Sequence, residues 1–263
     1  MSTLTVALHD SRTMTRRSLR RIIRYPSMTL ILVGMPVVFL LLFVYVFGDT
    51  LGAGLGGANI GRTGYANYVT PGILLITVAA AAQGTAISVA LDMNAGLIAR
   101  FRTMPVTKSA VLTGHAVSSF LQSLFSVGVV LAVALAIGFR PTAGLTDWIA
   151  ATGIVALFTV ALTWLSVALG LWAKSPESAS NLPMFLILLP FLSSGFVPTD
   201  SLPGPLRWVA ENEPFTPTIE AMRGLLLGTP DLRDLVVAVL WSLGITVVSF
   251  LWAQWLFDRR PTR

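Results

Sequence analysis

The chain has 263 residues, of which 54% are hydrophobic and 11% charged, against about 25% charged in soluble domains. So little charge cannot cover a water-exposed globule, and a mean hydropathy of +0.77 excludes a disordered chain, which needs low hydrophobicity and high charge. The composition is that of a polytopic membrane protein, so the net charge of +6 has to be read from where the cations lie.

There is no cysteine, which excludes disulfides, thiolate metal sites and cysteine nucleophiles. His9 and His115 are the only histidines, too few for a histidine-based metal cluster. Lys108 and Lys174 stand against sixteen arginines, a bias that points to a GC-rich bacterial genome.

Residues 4–24 come first. Stepped at about 100° per residue, Arg12, Arg16, Arg17, Arg20, Arg21 and Arg24 fall on one side. Ala7, Leu8, Met14, Leu19 and Ile22 fall on the other, with Val6 and Ile23 as exceptions. The pattern predicts an amphipathic helix lying in the membrane interface. A general anchor to anionic lipid and a specific partner contact both fit it. Tyr25-Pro26 then turns the chain into the membrane, since proline is tolerated at a helix start.

A transmembrane helix needs about 20 apolar residues. Six segments qualify with no Asp, Glu, Lys, Arg or His inside them: 28–47, 68–91, 116–139, 148–173, 179–197 and 235–257. The first is too long for the apolar region of a signal peptide and has no A-x-A site close behind it, so it reads as a retained anchor. Pro183 and Pro190, seven apart, share a face of the fifth segment and should bend it.

Lys and Arg in the loops set the orientation. Thirteen cations and four acids fall on the side of the termini, +9 in all. Five cations and eight acids fall opposite, −3. Both termini are therefore expected in the cytoplasm. The basic excess follows from membrane topology, and no nucleic-acid partner is needed to explain it.

Of the outer connections, 48–67 is glycine-rich and reads as irregular, and 140–147 as a short turn. The stretch 198–234 is long. Thr216-Pro217 reads as a cap and first helical residue, and Gly228 as a stop. Between them Ile219, Met222, Leu225 and Leu226 make one apolar face, which predicts a short helix dipping back toward the membrane. Glu220 and Arg223 are three apart and can pair. A solvated pair of small energetic weight is favoured over a gate.

The spans carry no ionisable group, so proton coupling and intramembrane acid–base catalysis lack their usual side chains. Serines such as Ser88 or Ser194 have no intramembrane base to activate them. No catalytic residue and no metal ligand is expected. Neither lysine follows a glycine, so the chain holds no G-x-x-x-x-G-K-[ST] phosphate loop. A transport function would take its energy from another subunit.

The cytoplasmic connection between the second and third spans contains Leu97, Ile98, Phe101 and Met104 at helical spacing, with Arg100, Arg102 and Lys108 as polar counterpart. By spacing alone it is a short interfacial linker. Its run Gly96-Leu97-x-x-Arg100-Phe101-Arg102-Thr103-Met104-Pro105-Val106, however, resembles the cytoplasmic loop of ABC-2 type permeases, most closely the daunorubicin/doxorubicin-resistance (drug-export) branch. Phe191-Leu192-Ser193-Ser194-Gly195-Phe196-Val197-Pro198, continuing through Leu202-Pro203 to Pro214, Pro217, Ala221-Met222-Arg223 and Gly228, resembles the fifth span and outer re-entrant region of that family. There are departures: Asn94 stands where many relatives carry an acid, and Glu213 where they often have asparagine.

The resemblance implies an all-α membrane protein, one transmembrane domain over 1–263. It would comprise an amphipathic connecting helix at 4–24 and a six-span bundle over 28–257, with a cytoplasmic coupling helix and an outer re-entrant segment. Two permeases, identical or paralogous, pair with two ATPase subunits in that family. Gly96, Leu97, Arg100, Phe101, Arg102, Met104 and Pro105 would then dock into an ATPase groove, with Arg16, Arg17, Arg20 and Arg21 on the helix beside it. Apolar Leu97, Phe101 and Met104 suit a groove, and the arginines suit an acidic rim. This chain would hold no cofactor, ATP and Mg being bound by the ATPase.

In the second span Thr77, Ala81, Gly84 and Ser88 fall within about 60°. Such a stripe reads first as close helix packing and second as a pathway wall. Phe185, Phe191, Ser194 and Phe196 are further pathway candidates, with packing or lipid contact as their default, and Gln83 and Asn181 are expected to bond a neighbouring helix. The expected function is the permease subunit of an exporter in the bacterial plasma membrane, moving amphipathic drugs, antibiotics or lipid-like molecules outward. The alternatives are export of a polysaccharide or lipid-linked glycan, or a non-transporting scaffold or immunity protein.

Overall fold

The structure is a computed structural model that describes residues 26–53, 61–94 and 108–259. Among the described residues it is helical with no strand. In chain order the helices are α1 (Pro26–Tyr45), α2 (Gly48–Ala53), α3 (Gly61–Asn94), α4 (Lys108–Ile137), α5 (Leu145–Trp172), α6 (Pro176–Asn181), α7 (Met184–Leu192), α8 (Gly204–Asn212), α9 (Phe215–Leu227) and α10 (Leu232–Arg259), with a 3-10 turn at Thr199–Ser201. The 4–24 helix and the 96–105 coupling segment lie outside the described residues.

Among the described residues four helices are long and apolar enough to cross a membrane: α3, α4, α5 and α10. In α1 the stretch Leu32–Tyr45 is a shorter apolar helix. The 34 residues of α3 measure about 50 Å at 1.5 Å per residue, well beyond a hydrocarbon core of about 30 Å.

The centre of the bundle is the α3–α5 pair. Val69, Ile73 and Val78 of α3 are buried in one cluster with Phe158 and Leu162 of α5. The two backbones come close at Gly170, where a Cβ would lie 2.6 Å from the Ala86 carbonyl oxygen and 3.0 Å from the Val89 Cβ. Small residues let membrane helices approach this closely. By contrast α4 and α10 leave Leu121, Phe125, Leu240, Val248 and Leu251 exposed, the apolar surface that a lipid tail solvates.

With so few charges the buried polar side chains, Glu213 apart, are hydroxyls, and the helices satisfy many of them internally. Thr70, Thr77, Thr85, Thr159 and Ser242 each donate to the carbonyl four residues back. In a medium without water this is the cheapest partner available.

Two stretches differ from the sequence expectation. The 48–67 connection is not irregular throughout: 48–53 form α2 and 61–67 already belong to α3. Arg62 bridges the two, with Nη2 3.1 Å from Asp49 Oδ2, and Gly61 supplies the positive φ (61°) that starts α3. The fifth apolar segment is two helices, α6 and α7, interrupted at Leu182-Pro183. Pro183 takes the cap position of α7, because its ring and missing N–H cannot continue a helix. Pro190 sits inside α7. The bend expected from the two prolines is thus a break at the first.

Beyond α7 the chain folds back. In α9 Ile219, Met222, Leu225 and Leu226 are all buried, and Phe215 meets Phe158 of α5 edge-on with centroids 5.0 Å apart. Gly228 stops the helix at φ 79°, the left-handed cap that glycine adopts without strain.

Candidate functional site

The bundle has two ends. Gly48, Gly61 and Gly228 mark one, called upper here; Asn94, Lys108 and Arg259 mark the lower.

The lower half of α3 has one incompletely covered face. Ala80, Gln83, Gly84, Ile87 and Ser88 recur at offsets of three and four and are all half-buried, whereas Thr77 and Ala81 are buried. The stripe Thr77, Ala81, Gly84 and Ser88 therefore divides: its upper half is packed, and its lower half lines a surface that this chain leaves partly open. Gly84 has room, with only the Leu32 side chain of α1 within reach of a Cβ, at 3.8 Å. Gln83 bonds a neighbouring helix as expected, donating to the Ser180 carbonyl at 2.7 Å. That bond ties α6 beside the open face. Asn181 is exposed. Across the Pro183 break, Met184, Phe185 and Leu188 of α7 are exposed. The wall so formed offers methyl, hydroxyl and amide groups and no titratable one.

Toward the upper end α3 is tightly packed. A Cβ on Gly72 of α3 would lie 2.9 Å from Gly195 Cα, so α3 and the turn after α7 touch backbone to backbone, which only glycine permits on both sides. Beside this contact Phe191 stacks on Phe196 with centroids 4.8 Å apart, and α1 packs against them through Phe39 (5.6 Å to Phe191) and Phe43 (4.4 Å to Phe196). Offset and edge-on rings at these distances attract beyond their buried area. Phe191 and Phe196 thus pack in a plug, while Phe185 remains open to an apolar ligand or lipid. Tyr65 of α3 adds a bond from its hydroxyl to the Phe196 carbonyl at 3.3 Å.

A polar network runs behind the plug. The Arg223 guanidinium of α9 donates from Nη2 to the Ser194 carbonyl (2.8 Å), from Nη2 and Nε to the Tyr68 carbonyl (3.1 and 3.3 Å), and from Nη1 to Glu220 Oε1 (2.5 Å). Its Cζ lies 3.8 Å from the Tyr68 ring centroid. The side chain is only 11% exposed, so the expectation of a solvated Glu220–Arg223 pair is corrected: the pair forms, but Arg223 is largely withdrawn from solvent and joins three segments. The i, i+3 spacing revealed the pair, and nothing in the sequence placed two carbonyls from other helices beside it. Ser194 also donates its backbone N–H to Thr216 Oγ1 (3.3 Å), and its own hydroxyl is buried without a partner.

The N-terminus of α9 is capped by Glu213 rather than by Thr216. Glu213 Oε2 accepts from the Phe215 N–H (3.0 Å) and Oε1 from the Thr216 N–H (2.7 Å) and hydroxyl (3.2 Å). A carboxylate suits a helix N-terminus, but this one is buried. Burial pushes its pKa up to about 7, against the opposing pull of the three hydrogen bonds.

At the lower end His115 Nε2 of α4 lies 3.1 Å from Asp92 Oδ2 of α3, both side chains about 15% exposed. The pair joins the two helices on either side of the 95–107 connection. Gly96, Leu97, Arg100, Phe101, Arg102, Met104 and Pro105, and Arg16, Arg17, Arg20 and Arg21, lie outside the described residues. No group of three His, Cys, Asp or Glu side chains able to hold a metal ion occurs among the described residues.

A family model described as ABC-2 type transporter matches residues 10–227. The daunorubicin resistance ABC transporter permease protein DrrB1 of Streptomyces coeruleorubidus is 28% identical over 225 residues, covering 85% of this chain and 77% of that protein. The probable doxorubicin resistance ABC transporter permease protein DrrC of Mycobacterium tuberculosis is 26% identical over 177 residues, covering 66% of this chain and 64% of that one, slightly less than two thirds of its length.

Proposed function

The chain belongs to the ABC-2 type transporter family, and from that premise we propose that it is the membrane permease subunit of an exporter that moves amphipathic drugs, antibiotics or lipid-like molecules outward. Two chains, identical or paralogous, form the pathway, and a separate ATPase subunit binds ATP and Mg and supplies the energy. The protein lies in the bacterial plasma membrane as a six-span bundle. The broken α6–α7 segment counts as the fifth span, α9 is the outer re-entrant helix, both termini are cytoplasmic, and the upper end faces out.

The observation that carries this reading is the asymmetry of α3. Its lower half presents a small, hydroxyl- and amide-bearing face that the chain leaves partly open, and its upper half is sealed by the Gly72–Gly195 contact and the phenylalanine plug. Such a wall suits a mostly apolar ligand with a few polar groups and is closed toward the outside. The named functions of the relatives support the substrate class. The lack of an ionisable group along the face fits energy delivered from a partner, through 96–105 docking in the ATPase groove as a rigid lever.

The test is accumulation of fluorescent doxorubicin in cells that express the chain with the phosphate-loop ATPase of a neighbouring reading frame. Reduced accumulation that disappears when the ATPase lysine is replaced supports the reading. Unchanged accumulation of every amphipathic drug tried refutes the substrate class, and failure of any such ATPase to co-purify refutes the transporter assignment.

A further inference from the structure

Arg223 is tied to acceptors on two segments besides its own helix. The Ser194 carbonyl belongs to the turn that ends α7, and the Tyr68 carbonyl belongs to α3, at the start of its apolar run. Glu220 holds the guanidinium from its own helix, and the Tyr68 ring covers its face. Removing the guanidinium leaves the Ser194 carbonyl without that donor in a buried place, where an unmade bond is costly. These bonds lie directly beside the Gly72–Gly195 contact, with Tyr68 four residues from Gly72 and Ser194 adjacent to Gly195. Any movement of the α7 turn away from α3 has to break the Arg223 bonds.

We propose that Arg223 is the positioning residue that holds the outer end of the pathway shut, by clamping the backbones of α3 and the α7 turn to α9. The clamp is the fork of donors to the two carbonyls. Glu220 orients the fork, and its charge is secondary. Lysine, with a compact ammonium in place of a planar fork, cannot reach both carbonyls and the Glu220 side chain in the same way. The outward direction of the upper end rests on the transport reading above, while the closure itself is a property of the chain.

The chain has no cysteine, so single cysteines report directly. Thr77→Cys lies buried below the Gly72–Gly195 contact and Ser88→Cys on the lower open face. Intact cells are treated with a membrane-impermeant maleimide. In the Thr77→Cys parent, outside labelling is slow. Adding Arg223→Gln raises its rate at least about tenfold, the scale of one lost charge-assisted bond, while Ser88→Cys labelled in inside-out vesicles is unchanged. Glu220→Gln, whose amide oxygen still accepts from Arg223, leaves Thr77→Cys protected. Arg223→Lys gives an intermediate rate and stands in if Arg223→Gln does not insert. Parental labelling in both Arg223 variants overturns the proposal, as does equal opening by Glu220→Gln, which makes the ion pair the closing element. Faster labelling of Thr77→Cys and Ser88→Cys alike means general loosening and also overturns it. Labelling that follows Arg223 in a chain that exports no drug leaves the clamp standing and removes only the transport reading.

Discussion

Replacing Glu213 with glutamine changes one ionisation and almost no volume. Burial holds the carboxyl up at about 7 against an ordinary 4.5, a gap worth about 3 kcal/mol. The folded state therefore binds this proton more tightly than the unfolded chain does. Below about pH 4.5 the group is protonated in both states and costs nothing. As pH rises from there to about 7 the unfolded chain gains the freedom to ionise first, and stability falls. Above about pH 7 the whole 3 kcal/mol is lost. In Glu213→Gln that slope disappears. Glutamine keeps one accepting oxygen for the Thr216 N–H and hydroxyl but loses the one that accepts from Phe215, a cost of about 1 kcal/mol. The variant is thus expected to be less stable than the parent at pH 4 and more stable at pH 8, with the two curves crossing near pH 5. Thermal unfolding of detergent-solubilised protein, followed by tryptophan fluorescence at several pH values, reads the crossing directly. Hydrogen exchange of the Phe215 and Thr216 amides assigns it to the start of α9. Parallel pH profiles in the two proteins refute the reasoning.

Gly170→Ala places a Cβ 2.6 Å from the Ala86 carbonyl oxygen and 3.1 Å from Ala86 Cα. Both are backbone atoms, so α3 and α5 must separate, and a loss of about 1–3 kcal/mol is expected despite the gain in helix propensity. A melting temperature at or above the parent's contradicts the close packing. Phe101→Ala is expected to abolish ATP-dependent drug efflux while membrane insertion and ATPase activity persist; wild-type efflux with normal ATPase stimulation contradicts the proposed coupling role of the 96–105 loop.

The membrane class and the helical architecture were legible because they rest on composition and on long uncharged runs, which few other folds allow. Gly228 was legible as a helix stop because its left-handed cap is a local property, as was the apolar face of Ile219, Met222, Leu225 and Leu226. The break at Pro183 was legible only as a bend. Whether a proline kinks or ends a helix depends on what satisfies the carbonyls around it, and that is tertiary. The stripe of Thr77, Ala81, Gly84 and Ser88 is buried in its upper half and half-buried in its lower, because α1, α5 and α6 cover the two halves of α3 unequally, which no spacing along α3 could reveal. Arg223 was the largest miss. Its sequence neighbours reveal Glu220, but its other partners are main-chain carbonyls 155 and 29 residues away, which no residue type advertises. Glu213 was noticed only as a departure from a family pattern, since a cap that is also buried cannot be told from a surface cap by spacing.

The most direct measurement uses proteoliposomes that contain this chain and the phosphate-loop ATPase proposed as its partner, with doxorubicin followed by fluorescence. ATP added to the side of the ATPase is expected to drive the drug to the opposite compartment, and leaving out either subunit abolishes the movement. ATP hydrolysis by a stable complex of the two with no movement of doxorubicin or any other amphipathic drug would contradict the account.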